Sequence, residues 1–560
     1  MKTERSGLRR IKWLALVFVI LAVLFVLYKV CVSVKPPLED PKESKTFIRE
    51  SPYNDFYTCE DSWLKKNEFG LWEMYLEGND LELGLKNGIL AEDLIHDQEE
   101  AFITQLRAMV PSEFYLNFLK NIVIWMNRNL DQYIPEEFLN EIYGVSLKAS
   151  DEYNFIGSAY QRMLNYHAAH DIGHALQNMN LVACTAFGVK GSRSKEEGLL
   201  VGRNFDFSMG DDFARDKIVA FYEPDSGYSF VSITWGGMIG VVSGMNDQGL
   251  TVSLNAAKSS IPRSSRTPVS ILARQILQYA STIEEAYELA ERSSVFVSES
   301  FLVSSARDNN TVVIEKSPDE LAIYDTDSEE LILTNHFQSD TFKDSELTKK
   351  NRSEGASVYR WERTKELLDR VEKHDVLTFV EILRDQSGKG DKSIGMGNEM
   401  AINQLVAHHS IVFAPQDLKI WISSYPYQLG SYICYDLHKV FSDSLDIYSD
   451  VFTVEDNIGE DTFLRSQAFE NWKEYKSETD KLKTMIEDKD VEEIGKQDLN
   501  AYIQLNQNYY YPYFIAGECY RVTGKHMQAA KMYEISLSKE IPREEDRERV
   551  NEAIESLEQE

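Results

Sequence analysis

The strongest constraint on this chain is a run of short apolar strands separated by turns across residues 184–437. Strand-like segments fall at 198–207, 217–223, 228–235, 250–256, 299–305, 311–316, 320–325, 330–335, 408–414 and 418–423. Turns such as Asn246-Asp247-Gln248-Gly249 and Asp308-Asn309-Asn310 join several of them. Short strands linked by such turns pair antiparallel. Two helical blocks, near 267–292 and 353–386, interrupt the series. Hydrophobic residues make up 43% of the chain, with 29 Tyr and 27 Phe. That is ample for a packed core and excludes a disordered chain. The expected class is α+β.

One stretch at the start of this region carries chemistry. Ala183-Cys184-Thr185-Ala186-Phe187-Gly188 opens a strand, and Gly202-Arg203-Asn204-Phe205-Asp206-Phe207 forms another about twenty residues later. A thiolate is the nucleophilic form of cysteine, and a neighbouring arginine favours it. Cys184, Arg203 and Asp206 on adjacent strands can therefore make an activated thiol. The common alternative is a buried cysteine acting as a small hydrophobe. Further along, the strand Thr251 to Ala257 carries Asn255 near its end, and Leu331 to Phe337 carries Asn335. Ser357-Val358-Tyr359-Arg360-Trp361-Glu362-Arg363 opens a helix.

As an ordered set, these segments resemble the Ntn hydrolases of the choloylglycine hydrolase and acyl-CoA:6-aminopenicillanic acid acyltransferase type. Acid ceramidase, N-acylethanolamine amidase and phospholipase B-like proteins are relatives of that family. The resemblance spans roughly residues 130–437 and implies an αββα sandwich. It also implies that Ile134 to Gly144 belongs to a segment parted from the catalytic chain by self-cleavage before Cys184. A freed α-amine has a reference pKa of about 7.7–8.0 and serves as general base for its own thiol. In that scheme Arg203 stabilises the thiolate and Asp206 orients the α-amine. Asn255 and Asn335 supply oxyanion donors, which such an attack requires. Arg360 supports the site electrostatically, with Arg363 as the alternative arginine. The implied activity is hydrolysis or acyl transfer at linear amide bonds of small N-acyl or lipid-like substrates, without a cofactor. An ester-cutting phospholipase B-like activity is the neighbouring reading. A catalytically inert tethered binding protein is the reading from another class, and the intact six-residue set argues against it. Trp235-Gly236-Gly237-Met238 and 258–266 are the expected pocket loops.

The flanks divide differently. Residues 1–34 read as a basic flank and a transmembrane anchor. Lys2, Arg5, Arg9, Arg10 and Lys12 precede an apolar run from Trp13 to Tyr28, extended by Val30 to Val34. Basic residues stay on the cytoplasmic side, so the expected catalytic part is extracytoplasmic. No small-residue cleavage site stands before Pro36-Pro37. Residues 35–183 read as a linker and a mostly helical pre-segment. One helix starts after Pro111-Ser112 with a broad apolar face, and another opens at Pro135 and ends at Gly144. His167, His170 and His174 would share a helical face, but there is no His-Glu-x-x-His pattern and Asp171 lies off that face. Polar packing is the expectation there, not a metal site.

Five scattered cysteines, Cys31, Cys59, Cys184, Cys434 and Cys519, give no disulfide framework, though a Cys59–Cys434 pair is open. Residues 438–560 turn acidic and helical. Tyr513, Gly517, Tyr520, Ala529, Tyr533 and Pro542 fit one tetratricopeptide-like (TPR-like) unit of about 34 residues, a candidate surface for a protein partner. A plain helical bundle is the equal alternative. The net charge of −32 excludes a nucleic-acid-binding role built on a basic face.

Overall fold

The computed structural model describes residues 2–37, 47–110, 112–168, 182–258 and 265–557. Its centre is two β-sheets. In chain order the strands are β1 (Glu50–Tyr53), β2 (Phe56–Cys59), β3 (Ser62–Lys66), β4 (Trp72–Gly78), β5 (Val182–Val189), β6 (Leu200–Phe207), β7 (Ile218–Pro224), β8 (Phe230–Thr234) and β9 (Ser243–Asn246). They continue with β10 (Leu250–Ala256), β11 (Glu299–Ser305), β12 (Asn310–Lys316), β13 (Leu321–Tyr324), β14 (Glu330–Leu333), β15 (Ala407–Ala414), β16 (Lys419–Ser423) and β17 (Tyr432–Asp436).

The larger sheet has eleven strands in the order β1-β2-β3-β4-β7-β8-β9-β10-β11-β12-β13. The smaller has six, ordered β14-β5-β6-β15-β16-β17. Their facing sides meet in one apolar core that includes Ala186, Val201, Phe221, Leu302, Ile411 and Ile433. Every residue of β6 and β15 is buried, as strands covered on both faces must be. Helices Asp80–Leu90, Glu136–Ser146 and Val269–Tyr279 cover the outer face of the larger sheet. Ser357–Leu368 and Val376–Leu383 cover that of the smaller one. The result is four layers, helix–sheet–sheet–helix.

Two expectations for residues 35–183 change in detail. Helices make up most of its described residues, as expected, but the segment also carries β1 to β4, which extend the larger sheet, and β4 pairs parallel with β7 from Trp72↔Ile218 to Gly78↔Pro224. The first hairpins turn at Asn54-Asp55 and Glu60-Asp61, with Asp55 at φ 55° and Glu60 at φ 52°. A glutamate in the left-handed region lacks the usual Asn-Gly or Asp-Gly signature, so the second hairpin is silent in the sequence. The helix opened by Pro135 also runs past Gly144 to Ser146. Gly144 marks a crossing, not an end: a Cβ there would stand 2.5 Å from the Gly84 backbone. The two helices touch backbone to backbone, which only glycine allows.

The tail forms helices Gln467–Glu487, Val491–Gly495, Leu499–Leu505, Tyr511–Val522, His526–Leu537 and Glu544–Leu557. Its core of Trp472, Tyr475, Ile515 and Tyr533 continues into Leu405, Tyr427 and Leu429 of the sheet region. At the other end, helix Lys2–Val32 contains an apolar stretch, Lys12–Val32, long enough to cross a membrane. Cys59, Cys184, Cys434 and Cys519 are buried, Cys31 is exposed, and no disulfide joins Cys59 to Cys434.

Candidate active site

Strand register assembles the site. On one side of β5, Cys184 lies opposite Phe205, Ala183 opposite Asp206 and Ala186 opposite Arg203. On the other side β14 ends at Leu333, paired with Ala186. The Cys184 nitrogen thus points past the end of β14, where the chain turns through Thr334 and Asn335. There it donates to Asn335 Oδ1 at 2.9 Å. The Asn335 N–H is itself held by Ser357 Oγ at 2.8 Å.

Side-chain alternation puts Cys184 and Arg203 on the same face of the sheet, toward β10. Arg203 is fully buried. Its Nη2 reaches Cys184 Sγ at 3.4 Å and also donates to the Leu254 carbonyl. Its Nη1 donates to the Val242 carbonyl at 2.9 Å and to Ser243 Oγ. Ser243 continues to His409 Nε2 at 2.8 Å, and His409 Nδ1 to His408 Nδ1 at 2.9 Å. Burial holds both histidines well below the usual imidazole range, so they are neutral.

Arg360 approaches from helix Ser357–Leu368. Its Nη1 donates to the Cys184 carbonyl and to Thr185 Oγ1 at 2.9 Å, and its Nη2 to Asn335 Oδ1 at 2.7 Å. Arg363, one turn on, faces away into an ion-pair network with Asp385, Glu366 and Asp391. The alternative arginine is therefore not at Cys184. Asn255 is buried and donates weakly, at 3.2 Å, to the Thr334 carbonyl.

Three expected roles look different in this geometry. Asn335 presents its oxygen to Cys184 while its amide nitrogen donates to the Ala256 carbonyl at 3.0 Å. In the uncleaved chain it is an acceptor for the Cys184 nitrogen, the part expected of Asp206, and not an oxyanion donor. Asp206 has no hydrogen bond on either oxygen among the described residues. Burial raises its carboxyl to about 7, although Arg360 and Arg203 pull it down. Arg203 does favour the thiolate, but burial outweighs it and pushes the Cys184 thiol up to about 11. In the uncleaved chain the thiol is protonated at neutral pH.

Of the larger cavities, one is lined by Ala183, Asn335 and Arg360, and the other by none of the expected site residues. The latter is apolar, about 290 Å³, and lined by Phe102, Leu106, Leu116, Val123, Phe207 and Met209. A smaller neighbour of about 40 Å³ shares Phe102, Tyr166 and Phe207 and reaches Trp235, Gly236, Gly237 and Met238. This contact places the expected Trp235 loop at the apolar side. Of the other expected loop, residues 259–264 lie outside the described residues. The second large cavity, about 360 Å³, is lined by Ala183, Asn335, Arg360, Gln404 and Glu399, and by Trp472, Lys476 and Arg543 of the tail.

Ser243, Gln404 and the tail residues were not singled out from the sequence. Ser243 lies on the short strand β9, which carries no polar motif. The others reach the site only through tertiary packing. His167 has both ring nitrogens engaged, Nδ1 with the Met163 carbonyl at 2.7 Å and Nε2 with the Ile239 N–H at 3.0 Å. It is a packing histidine. His170, Asp171 and His174 lie outside the described residues, and no metal-binding cluster occurs among those that are described.

A curated protein of Archaeoglobus fulgidus, itself uncharacterized, is 26% identical over 270 residues, covering 45% of each chain. The N-acylethanolamine-hydrolyzing acid amidase of Caenorhabditis elegans is 24% identical over 209 residues, covering 36% of this chain and 56% of its own. The chain thus spans about half the length of the curated relatives it matches. Among solved structures, the conjugated bile acid hydrolase of Clostridium perfringens overlaps 48% of this chain and 95% of its own, at 13% identity and a TM-score of 0.33. At that score the overlap carries no weight beside the sheet order itself. Residues 193–424 match the model of the acyl-coenzyme A:6-aminopenicillanic acid acyl-transferase family. The matched stretch holds Arg203, Asp206, Asn255, Asn335 and Arg360 but begins after Cys184, and through it the two-sheet part of the chain is similar to that family of Ntn hydrolases.

Proposed function

We propose that this chain is a self-processing N-terminal-cysteine hydrolase or acyltransferase acting on linear amide bonds of small N-acyl substrates. The observation that carries the reading is the set of contacts on Cys184: nitrogen to Asn335, sulfur to Arg203 and carbonyl to Arg360. All three backbone and side-chain handles of one cysteine are held by side chains from three different elements. A purely structural cysteine needs none of them.

In this scheme the Cys184 thiol attacks the Ala183 carbonyl. The acyl group moves from nitrogen to sulfur, the Cys184 α-amine is released, and a thioester forms. Water opens the thioester, leaving a carboxylate on Ala183 and restoring the thiol. The freed amine keeps its bond to Asn335, and Asp206 is the carboxylate left for the newly gained protons. In turnover the amine takes the thiol proton, the thiolate attacks the substrate carbonyl, and the leaving amine departs with that proton; water or an acceptor amine then opens the acyl-thioester, releasing the acyl product and restoring the thiol. This scheme assigns the oxyanion donor to Asn255, whose amide nitrogen would leave its 3.2 Å contact with the Thr334 carbonyl. The apolar cavity suits the acyl chain. The acidic tail is an accessory TPR-like unit in this scheme, and helix Lys2–Val32 anchors the catalytic part outside the cytoplasm.

Intact-mass measurement and N-terminal sequencing of purified protein test the core of the reading. The expected result is a fragment starting at Cys184, absent in Cys184→Ala, with turnover of N-acyl amides only in the cleaved form. A fully active single chain overturns it. Extraction of full-length protein from membranes by salt or alkali alone would remove the anchor from the scheme.

A further inference from the structure

β15 carries a bulge beside the candidate site. Ala407 pairs with Asp206 and His409 with Phe205, so His408 is an extra residue without an opposite number on β6. Neighbouring residues of a regular strand point to opposite faces. Here the bulge brings both imidazoles to one aromatic ring. The Phe205 centroid lies 5.4 Å from that of His409 and 6.2 Å from that of His408. The histidines meet Nδ1 to Nδ1 at 2.9 Å, and His409 Nε2 reaches Ser243 Oγ at 2.8 Å. Ser243 accepts from Arg203 Nη1. Arg203, Ser243, His408 and His409 are all fully buried.

The direction of this hydrogen-bond chain follows from its charged end. Arg203 can only donate, so the Ser243 oxygen accepts and its own hydrogen is left for His409 Nε2. A neutral imidazole that accepts at Nε2 carries its hydrogen on Nδ1, so His409 donates to His408 Nδ1. His408 then holds its hydrogen on Nε2, which has no hydrogen bond among the described residues. The opposite order would aim a second N–H at an oxygen already receiving from a cation. Hydrogen bonds in such a series polarise and strengthen one another.

Two backbone carbonyls, of Val242 and Leu254, also receive N–H groups of Arg203. They hold the guanidinium to the larger sheet. Ser243 adds a link that returns, through His409 on β15, to the smaller sheet, which carries Cys184 and Arg203 themselves. β15 is the hydrogen-bonded neighbour of β6, so the link closes a ring: Arg203, Ser243, His409 and back to β6. We propose that Ser243 and His409 are positioning residues for Arg203, and that the bulge at His408 exists to aim them. The ring holds Arg203 Nη2 at the Cys184 sulfur, 3.4 Å away, against the pull of the carbonyls on the larger sheet. Asp206 on β6, Glu299 on β11 and Arg360 also act on this sulfur or this guanidinium, and Lys217, just before β7, acts on the two histidines. None of them is altered by the variants below. The catalytic half of the inference rests on the amidase reading; the positioning half does not, because the ring is already formed in the uncleaved chain.

The test has two arms. The first is nitrogen NMR of uncleaved full-length Cys184→Ala, labelled at histidine and arginine. His409 is expected as the tautomer with bare Nε2 and protonated Nδ1, and adding Ser243→Ala is expected to shift its Nε2 resonance. The Arg203 guanidinium protons are expected to exchange with solvent at least about tenfold faster in that variant, as local opening becomes easier. Arg162, buried in a separate network with Glu99, is the control in the same spectra and should keep its rate. A His409 tautomer protonated on Nε2, or Arg203 exchange unchanged in Ser243→Ala, overturns the proposal. The second arm is functional. Ser243→Ala and His409→Phe are expected to slow self-cleavage about tenfold, and His409→Gln, whose amide can meet Ser243, to restore most of the rate. In processed protein the rising limb of kcat/KM against pH is expected to move up by about one unit in the first two variants, the shift that a tenfold loss of thiolate produces. Melting curves separate these effects from lost folding. A rate lowered equally at every pH, or no recovery in a folded His409→Gln, makes the residues structural cover and overturns the proposal. Absence of cleavage and turnover in the unaltered protein overturns the amidase reading alone, since the first arm still reads the ring.

Discussion

At the scale of single residues, the site is a contest between burial and charge. Arg360 joins the Cys184 carbonyl to Asn335 with two nitrogens of one planar fork. A lysine keeps the charge but cannot span both acceptors. Arg360→Lys is expected to slow self-cleavage on the order of a hundredfold, the usual scale for losing a preorganised donor at such a centre. The readout is fragment appearance on denaturing gels, and an unchanged rate would remove Arg360 from the machinery. Asp206 gives a second expectation. Its carboxyl titrates near 7 in the folded chain and near 3.9 when unfolded. Between those values the folded state holds a proton that the unfolded state has released, so stability falls as pH rises from about 4 to 7. Glu73 and Glu141, also raised to about 7 by burial, act in the same sense. Urea melts of Cys184→Ala at pH 5 and pH 7 should show this loss. Adding Asp206→Asn should shrink it by on the order of 1–2 kcal/mol, leaving the part due to the two glutamates. Identical pH dependence in the two proteins would place the Asp206 pKa near its ordinary value.

At the scale of elements, the sequence was legible where local signals repeat and silent where they do not. The strands of the sheet region are short apolar runs that end on turns, and they were readable to within a residue or two, as at 250–256 and 299–305. Cys184, Arg203, Asp206, Asn255, Asn335 and Arg360 were nameable in advance, and the fold gathers them around one strand end. What was not readable is pairing. Nothing local in Trp72–Gly78 says that it joins β7 in parallel, 146 residues downstream from Trp72 to Ile218. Nor does Asn335 reveal that its oxygen, not its nitrogen, faces Cys184. The parallel pairing has a consequence for processing. Residues before Cys184 supply four strands and helices Asp80–Leu90 and Glu136–Ser146 to the cores of the catalytic part. After cleavage the two fragments are expected to co-elute in native size-exclusion chromatography and to part only in denaturant. A catalytic fragment that elutes alone and active would contradict the sheet order.

At the scale of the whole molecule, the tail is an extension of the catalytic core in packing terms. Leu405, Tyr427 and Leu429 are buried against Trp472, Tyr475 and Ile515 in one apolar cluster. Removing residues after Asp436 strips that cover and takes away three walls of the polar cavity. Each large apolar side chain newly exposed costs about 1.5–3 kcal/mol, enough in sum to consume much of the 5–15 kcal/mol that holds a domain folded. The contacts on Cys184 from Arg203, Asn335 and Arg360 lie entirely before the cut. The two losses therefore separate. A truncation after Asp436 with Leu405, Tyr427 and Leu429 changed to polar residues is expected to melt lower yet still cleave before Cys184. Circular dichroism establishes that the remainder is folded, and gels report cleavage. A folded truncate that fails to cleave would put the tail inside the chemistry itself.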